Sequence, residues 1–285
     1  MLKQIALIFL VSLSGCSWDK KVAQVGDYPI YESAVKCRDA VIAINFPDDK
    51  RKLGLDQLLQ SYRLVQILKN YGQPVTDATI QQEKERIDKT TLTPQALAQI
   101  KAACDGDKSK GYIDGFVIPN YAERTIYHDF FLHNPKIHQE PLNFASKFKS
   151  EIENRPEQFA NEALKEKIPL SVFKVSLAKG VEPHRINKLQ GFYSKEILNP
   201  PVPPGETSQE GTKWINQIIT PLKPGQVFPE LVDQGDVFLV VRYLRSIAPR
   251  DKLYEVQAAV FPKLAFNQWL EPEKQKVKLT VLKKD

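Results

Sequence analysis

The spacing of the apolar residues changes near Ile168, and this change limits the folds that the chain can adopt. Before it, apolar side chains recur every three or four residues, as in residues 55–71, which predicts amphipathic helices. After it, residues 171–177 and 277–282 alternate between apolar and polar side chains, which predicts half-buried strands. We therefore expect an α+β fold whose first half is mostly helical.

A short hairpin and six helices are predicted before Ile168. The hairpin comprises residues 22–25 and 28–31, which flank a turn at Gly26 and Asp27. The helices are predicted at residues 32–45, 55–71, 76–88, 93–103, 120–133 and 141–165, with a break in the last one near Pro156.

The second half is predicted to combine strands with two short helices. Strands at residues 171–177 and 191–193 precede a proline-rich segment, and helices are expected near residues 214–219 and 262–270. The clearest hairpin signal is residues 225–244, where two extended runs flank a tight turn at 234–236. The strand at 277–282 needs a partner, and we expect it to pair with residues 22–25.

The first 15 residues are predicted to be a secretory signal peptide. Lys3 precedes an apolar run at residues 5–13 that is too short to span a bilayer as a helix. Residues 13–16, Leu-Ser-Gly-Cys, resemble the bacterial lipobox. This resemblance implies cleavage before Cys16, attachment of diacylglycerol to its sulfur and acylation of the new amine. The alternative is an ordinary secretory signal with a chance cysteine.

Lipidation at Cys16 would place the protein at the bacterial cell envelope. Two or more acyl chains anchor a protein stably. We expect it to face the periplasm or the outer surface, at the outer membrane in preference to the inner one. In an oxidising compartment, Cys37 and Cys104 are candidates for a disulfide, and two separate buried thiols are the alternative.

Composition and motif spacing argue against several functional classes. The net charge of +6 is spread along the chain without a run of five basic residues, so nucleic acid is not a predicted partner. His128, His133 and His138 are five residues apart and cannot share one helix face. No paired-cysteine or HExxH pattern occurs. We predict no catalytic residue, metal or cofactor.

Several stretches, taken in order, resemble the SurA/PrsA group of extracytoplasmic folding factors. VAQVGDYPIYESAV resembles the opening strands and first helix of that group, and YRLVQILKNYGQPVTDATIQQEKERI resembles its next two helices. Residues 157–160, followed by 191–193, and residues 221–227 resemble parts of its parvulin-type prolyl isomerase domain. Residues 267–270 and 277–282 resemble its last helix and strand. The resemblance implies a helical chaperone module at 20–166, completed by 262–285, and a parvulin-like domain at 168–248.

The parvulin-like domain departs from the active pattern of that family. Active parvulins carry a histidine in the first strand and another in the last. The corresponding positions here are Lys174 or Ser176 and, in the hairpin at 225–244 taken as the last two strands, Val237. The pocket helix is replaced by a proline-rich loop, and the only methionine is Met1. We therefore expect a degenerate domain without isomerase activity.

The resemblance and the remaining apolar residues favour a binding function. Aromatic side chains concentrate in the helical half, and we predict that Tyr121, Tyr127, Phe130 and Phe131 line a groove for clients. The expected partners are unfolded or assembling envelope proteins and, through the anchor, the membrane. Two alternatives stay open: an active peptidyl-prolyl isomerase, and a structural docking lipoprotein of a secretion or polysaccharide-export machine.

Overall fold

The computed structural model of the protein describes residues 19–48, 51–90, 93–186 and 207–282. The signal peptide, Cys16 and the strand predicted at 191–193 lie outside the described residues. The chain divides into two units, of which the first comprises Met1–Arg124 with Lys274–Asp285 and the second Thr125–Glu273. Both mix helices with strands, in agreement with an α+β fold.

The first unit is built mainly from helices, most of them close to their predicted positions. Thr93 caps one helix by accepting a hydrogen bond from the backbone of Ala96, and Pro94 occupies the first turn of that helix, where its missing N–H costs nothing. The elements, in order, are β1 (Lys21–Val25), β2 (Tyr28–Tyr31), α1 (Glu32–Asn45), α2 (Gly54–Asn70), α3 (Asp77–Thr90), α4 (Pro94–Ala103), α5 (Lys110–Tyr112), a π-helical segment (Ile113–Val117) and α6 (Ile118–Thr125).

A three-stranded antiparallel sheet joins the two ends of the first unit. Strand β8 (Leu279–Val281) pairs with β1, and β1 pairs in turn with β2. Ala23 lies opposite Val281, and Val25 lies opposite Leu279. The pairing predicted between the strand at 277–282 and residues 22–25 is therefore confirmed.

The core of the helical part surrounds a disulfide. The bond joins Cys37 of α1 to Cys104, the residue that ends α4, and both side chains are buried. Gly115 lets the first π-helical segment approach α1 closely. A Cβ atom at this position would lie 2.5 Å from the backbone oxygen of Ala34 and 2.9 Å from the Cβ of Cys37. Only glycine fits this contact without a shift of the backbone.

The second unit combines a five-stranded sheet with helices. Its elements are a π-helical segment (Ile126–Phe131), α7 (Gln139–Glu153), a 3-10 turn (Pro156–Gln158), α8 (Phe159–Lys165), β3 (Leu170–Ser176), β4 (Gly180–Ile186), α9 (Gln209–Lys213), a π-helical segment (Trp214–Ile219), β5 (Val232–Gln234), β6 (Val237–Ala248), β7 (Leu253–Pro262) and α10 (Phe266–Lys276), which crosses the boundary between the units. The strand order is β4-β3-β7-β6-β5, with antiparallel neighbours throughout.

The sheet is covered on both faces, which explains the unbroken apolar run at the start of β6. Leu239 and Val241 pack with Trp214 on one face of the sheet, whereas Phe238 and Val240 pack on the other face. Helices α7 and α8 cover this second face. Successive side chains of a strand point to opposite faces of the sheet. In a strand that is buried on both faces, every position is therefore apolar, and no alternation of apolar and polar residues appears.

The predicted hairpin at 225–244 is present only in part. Its turn forms at Gly235, but β5 has three residues and lies at the edge of the sheet. The earlier part of the run, residues 225–228, pairs with residues 241–243 of β6 through the bridge between Val227 and Arg242 and three backbone hydrogen bonds, but it does not form a continuous strand. The long partner of β6 is β7, which the sequence analysis did not predict. The interpretation of residues 225–244 as the last two strands of the sheet is therefore wrong.

The boundary between the units also differs from the predicted one. Phe148 of α7 and Phe159 of α8 pack against the sheet residues Val240 and Phe261. These two helices therefore belong with the sheet, and the boundary falls at residues 124–125 instead of near residue 166. The apolar stripe of a helix predicts that the helix is packed, but it does not identify the partner.

Candidate functional site

The four aromatic residues predicted to bind clients are divided between the two units. Tyr121 lies on α6 in the first unit, and the centroid of its half-exposed ring is 6.0 Å from the guanidinium carbon of Arg124. Tyr127, Phe130 and Phe131 lie in the π-helical segment of the second unit.

Phe130 and Phe131 are core residues of the second unit. Their exposed fractions are 3% and 1%. The ring of Phe131 lies 5.1 Å from that of Phe266 and 5.3 Å from that of Trp269, between ring centroids. Helix α10, which carries these two partners, covers the aromatic face that the sequence analysis expected to be open. A client groove at Phe130 and Phe131 is therefore not at the surface in this structure.

A partly buried polar network lies beside this aromatic cluster, and the Asp233 side chain in it is 43% exposed. The ammonium group of Lys263, 1% exposed, donates to the backbone oxygen of Leu132 at 2.6 Å and to the carboxylate of Asp233 at 2.7 Å and 2.9 Å. Tyr127 donates to Asp236 at 3.0 Å. Burial lowers the pKa of His138, whose Nε2 lies 2.7 Å from the backbone oxygen of Phe131.

This network holds the core together and leaves little capacity for chemistry. The three protons of Lys263 match three acceptor atoms. Removing Asp233 would leave the buried ammonium group of Lys263 without its counter-charge, which would destabilise the unit. We therefore assign the network to the stability of the second unit.

An open cleft lies elsewhere on the second unit, and its walls are almost entirely apolar. Its volume is about 360 Å³. The first turn of α7, the segment before β3 and the end of β7 contribute the lining residues, which are Pro141, Phe144, Lys167, Ile168, Pro169, Val260, Phe261 and Pro262. Phe144 is 41% exposed. Its ring meets that of Phe261 edge-on, with the centroids 5.5 Å apart.

Backbone hydrogen bonds fix two walls of the cleft to each other. The backbone N–H of Val260 donates to the carbonyl of Pro169 at 2.9 Å, and Leu170 lies opposite Ala259 in the sheet. The cleft is therefore a continuation of the β3–β7 pairing, and its shape depends on the register of that pair.

Lys167 lies at the rim of the cleft in a strained conformation. It lies two residues after the end of α8 and has a φ of 57°, a region that glycine usually occupies. The backbone N–H of Ile168 donates to Ala163 at 2.7 Å, and that of Lys167 donates to Leu164 at 3.1 Å. These two bonds form a Schellman motif with lysine in the place of glycine.

The cleft is suited to binding and offers little for catalysis. Among its lining residues, all of which the structure describes, Lys167 is the only ionisable one. Proline rings, phenylalanine rings and aliphatic side chains can receive apolar groups of an extended peptide. Within the described ranges, no group of three or more His, Cys, Asp or Glu side chains is placed to hold a metal ion.

The positions compared with the isomerase histidines do not form a site. Val237 is buried in the core at the start of β6. Ser176 ends β3, where its hydroxyl accepts from the backbone N–H of Lys179 at 3.0 Å. Lys174 lies on β3 with its side chain exposed. Strand β7 lies between β3 and β6 in the sheet, which separates these positions.

Fold and site together define a two-unit α+β protein with an apolar cleft of about 360 Å³ in its second unit. The sequence matches no protein-family model and no curated protein. No helix in the part of the chain that the structure describes is long and apolar enough to cross a membrane.

Proposed function

We propose that this protein is a lipid-anchored folding factor of the bacterial envelope that holds unfolded or assembling envelope proteins. The observation that carries the proposal is the apolar cleft of the second unit, where an aromatic side chain is 41% exposed beside buried sheet residues. The lipobox-like segment that ends at Cys16 supports the location. The resemblance of several stretches to the SurA/PrsA group supports the class of function.

The size of the cleft fits transient binding of a client. Burial of one Val, Leu, Ile or Phe side chain contributes about 1.5–3 kcal/mol. One such contact gives weak binding, because association also costs translational and rotational freedom. A holding chaperone needs this range, since it must release its client.

Isomerase activity is the alternative, and it would require no nucleophile. The barrier to prolyl rotation is about 20 kcal/mol and arises from twisting a partial double bond. An apolar cleft that favours a twisted proline peptide could lower that barrier. We nevertheless favour holding, because the cleft has no hydrogen-bond donor besides Lys167 and the backbone to stabilise the twisted amide.

The test is suppression of aggregation by the mature chain. An outer-membrane protein diluted from urea serves as the client, and light scattering reports its aggregation. We expect Phe144→Asp to abolish suppression, because it places a charge inside the apolar cleft. Phe46→Asp is the matched control. Phe46 is a 64% exposed phenylalanine of the first unit and does not line the cleft.

The outcomes distinguish the candidates. Equal loss of suppression in both variants, or suppression unaffected by Phe144→Asp, would contradict holding by the cleft. Cis–trans exchange in a short proline peptide is measured in parallel. Exchange accelerated by the unmodified protein and lost in Phe144→Asp would establish the isomerase alternative.

A further inference from the structure

The chain just after the predicted lipidation site is fixed to the first unit. The carboxylate of Asp19 accepts hydrogen bonds from the backbone N–H of Ser33, at 3.1 Å, and from the Ser33 hydroxyl. The carbonyl of Lys20 accepts from the backbone N–H of Glu32 at 2.9 Å. Residues 19 and 20 therefore satisfy N–H groups at the start of α1 that have no partner within the helix.

The distance from this fixed point to the proposed anchor is short. Asp19 follows Cys16 by three residues in the sequence. A fully extended chain spans at most about 3.6 Å per residue, so Asp19 lies within roughly 11 Å of the lipid-bearing residue. The headgroup layer of one leaflet is about 5–8 Å thick. A lipid on Cys16 would therefore hold the start of α1 at the membrane surface.

The surface around Asp19 carries a cavity with both signs of charge. The cavity measures about 490 Å³ and lies over the Cys37–Cys104 disulfide. Its charged lining residues are Asp19, Lys20, Glu32, Lys36, Asp105 and Lys110. The ammonium group of Lys36 lies 3.1 Å from the carboxylate of Glu32, in an ion pair whose side chains are 73% and 46% exposed, and the ammonium group of Lys110 lies 3.3 Å from the ring centroid of Tyr31. Ammonium and carboxylate groups together match a headgroup that carries both a phosphate and an amine.

We propose that this cavity and its rim dock onto zwitterionic phospholipid headgroups of the membrane that holds the anchor. In the docked state the Lys36–Glu32 ion pair exchanges partners, so that Lys20, Lys36 and Lys110 contact phosphate groups and Glu32 and Asp105 contact ammonium groups. The inference rests on the lipidation that is part of the proposed function. It adds that the first unit lies flat on the membrane instead of moving freely at the end of a linker.

The experiment measures the reactivity of individual lysines in the lipidated full chain. The protein is anchored in vesicles of phosphatidylcholine, a zwitterionic lipid without a reactive amine, and is labelled with an amine-reactive reagent, and the labelling of each lysine is measured by mass spectrometry. We expect Lys20, Lys36 and Lys110 to react several-fold more slowly than in the unlipidated Cys16→Ser chain mixed with the same vesicles. The matched control carries a flexible Gly/Ser insertion between residues 18 and 19, which should restore their reactivity.

A second vesicle type separates headgroup binding from proximity. Vesicles of digalactosyldiacylglycerol contain no phosphate or amine, and protection of the three lysines should be weaker there. Equal protection in both vesicles would overturn headgroup recognition. A further outcome is that the three lysines react equally with and without the insertion in protein that sediments with the vesicles. This result would overturn the docked orientation but not the anchor. If the wild-type chain is found to carry no lipid and does not sediment with the vesicles, the anchor is overturned, and this inference with it.

Discussion

Asp114 is predicted to destabilise the first unit at neutral pH. It lies in the π-helical segment Ile113–Val117, and burial raises the pKa of its carboxyl to about 6 from an ordinary value of 3.8. Asp19 also raises this pKa, whereas Lys110 opposes the shift. The folded state therefore binds the proton more tightly than the unfolded state does. Its stability falls as the pH rises from about 4 to about 6, and the loss is complete above that range.

The magnitude follows from the two pKa values. A difference of about two pH units corresponds to about 3 kcal/mol, at 1.36 kcal/mol per unit. Replacing Asp114 by asparagine should recover less than this, because the asparagine side chain also loses its hydration when it is buried. We expect Asp114→Asn to stabilise the first unit by about 1–3 kcal/mol near pH 7, or roughly 4 °C in Tm per kcal/mol. Near pH 3 the gain should vanish, because Asp114 is then mostly protonated in both states.

Thermal unfolding followed by circular dichroism at several pH values provides the measurement. Glu85→Gln, at an exposed carboxylate of the same unit, is the control and should leave the curve unchanged. The reasoning is refuted if Asp114→Asn lowers Tm near pH 7. It is also refuted if the difference between the two proteins is the same at both ends of the pH range.

Four further outcomes are expected. Cys16→Ala should leave the protein uncleaved or released from membranes, and fractionation through carbonate washes checks this. Deletion of residues 276–285 should lower the Tm of the first unit, because β1 loses its partner β8; an unchanged Tm would count against the pairing. Gly115→Ala should cost about 1–3 kcal/mol in urea unfolding, since the new Cβ meets the backbone of α1. Lys167→Gly should gain about 1 kcal/mol by relieving the left-handed backbone, and a loss would show that its side chain stabilises the cleft.

Helices were easier to predict from this sequence than strands. The apolar stripe at residues 55–71 predicts α2 closely, because one face of this helix is buried and the other is exposed to solvent. Strand β7 was missed because residues 258–261 are all buried, so that no alternation remains to be read. Its antiparallel neighbour β6 starts with the same kind of run and was found only through the turn at Gly235.

The site was harder to predict than the fold, since it depends on tertiary contacts. The cleft is assembled from residues 141–144, 167–169 and 260–262, which no local pattern connects. The aromatic residues Phe130 and Phe131 stood out in the sequence because, with Tyr127, they extend over more than one face of a helix. In the folded unit, Phe266 and Trp269 pack against their rings, and this packing cannot be recognised from the local sequence.

The pairing of β1 with β8 also sets the order in which an exported chain can mature. A chain that crosses a membrane from its N-terminus presents residue 23 early and its partner, residue 281, only after the whole five-stranded sheet has emerged. The hairpins of that sheet are local and can close as soon as they appear. Strand β1 keeps an open edge during this time. A polypeptide interrupted before β8 would keep that edge of β1 unpaired permanently, as a template for pairing with other chains.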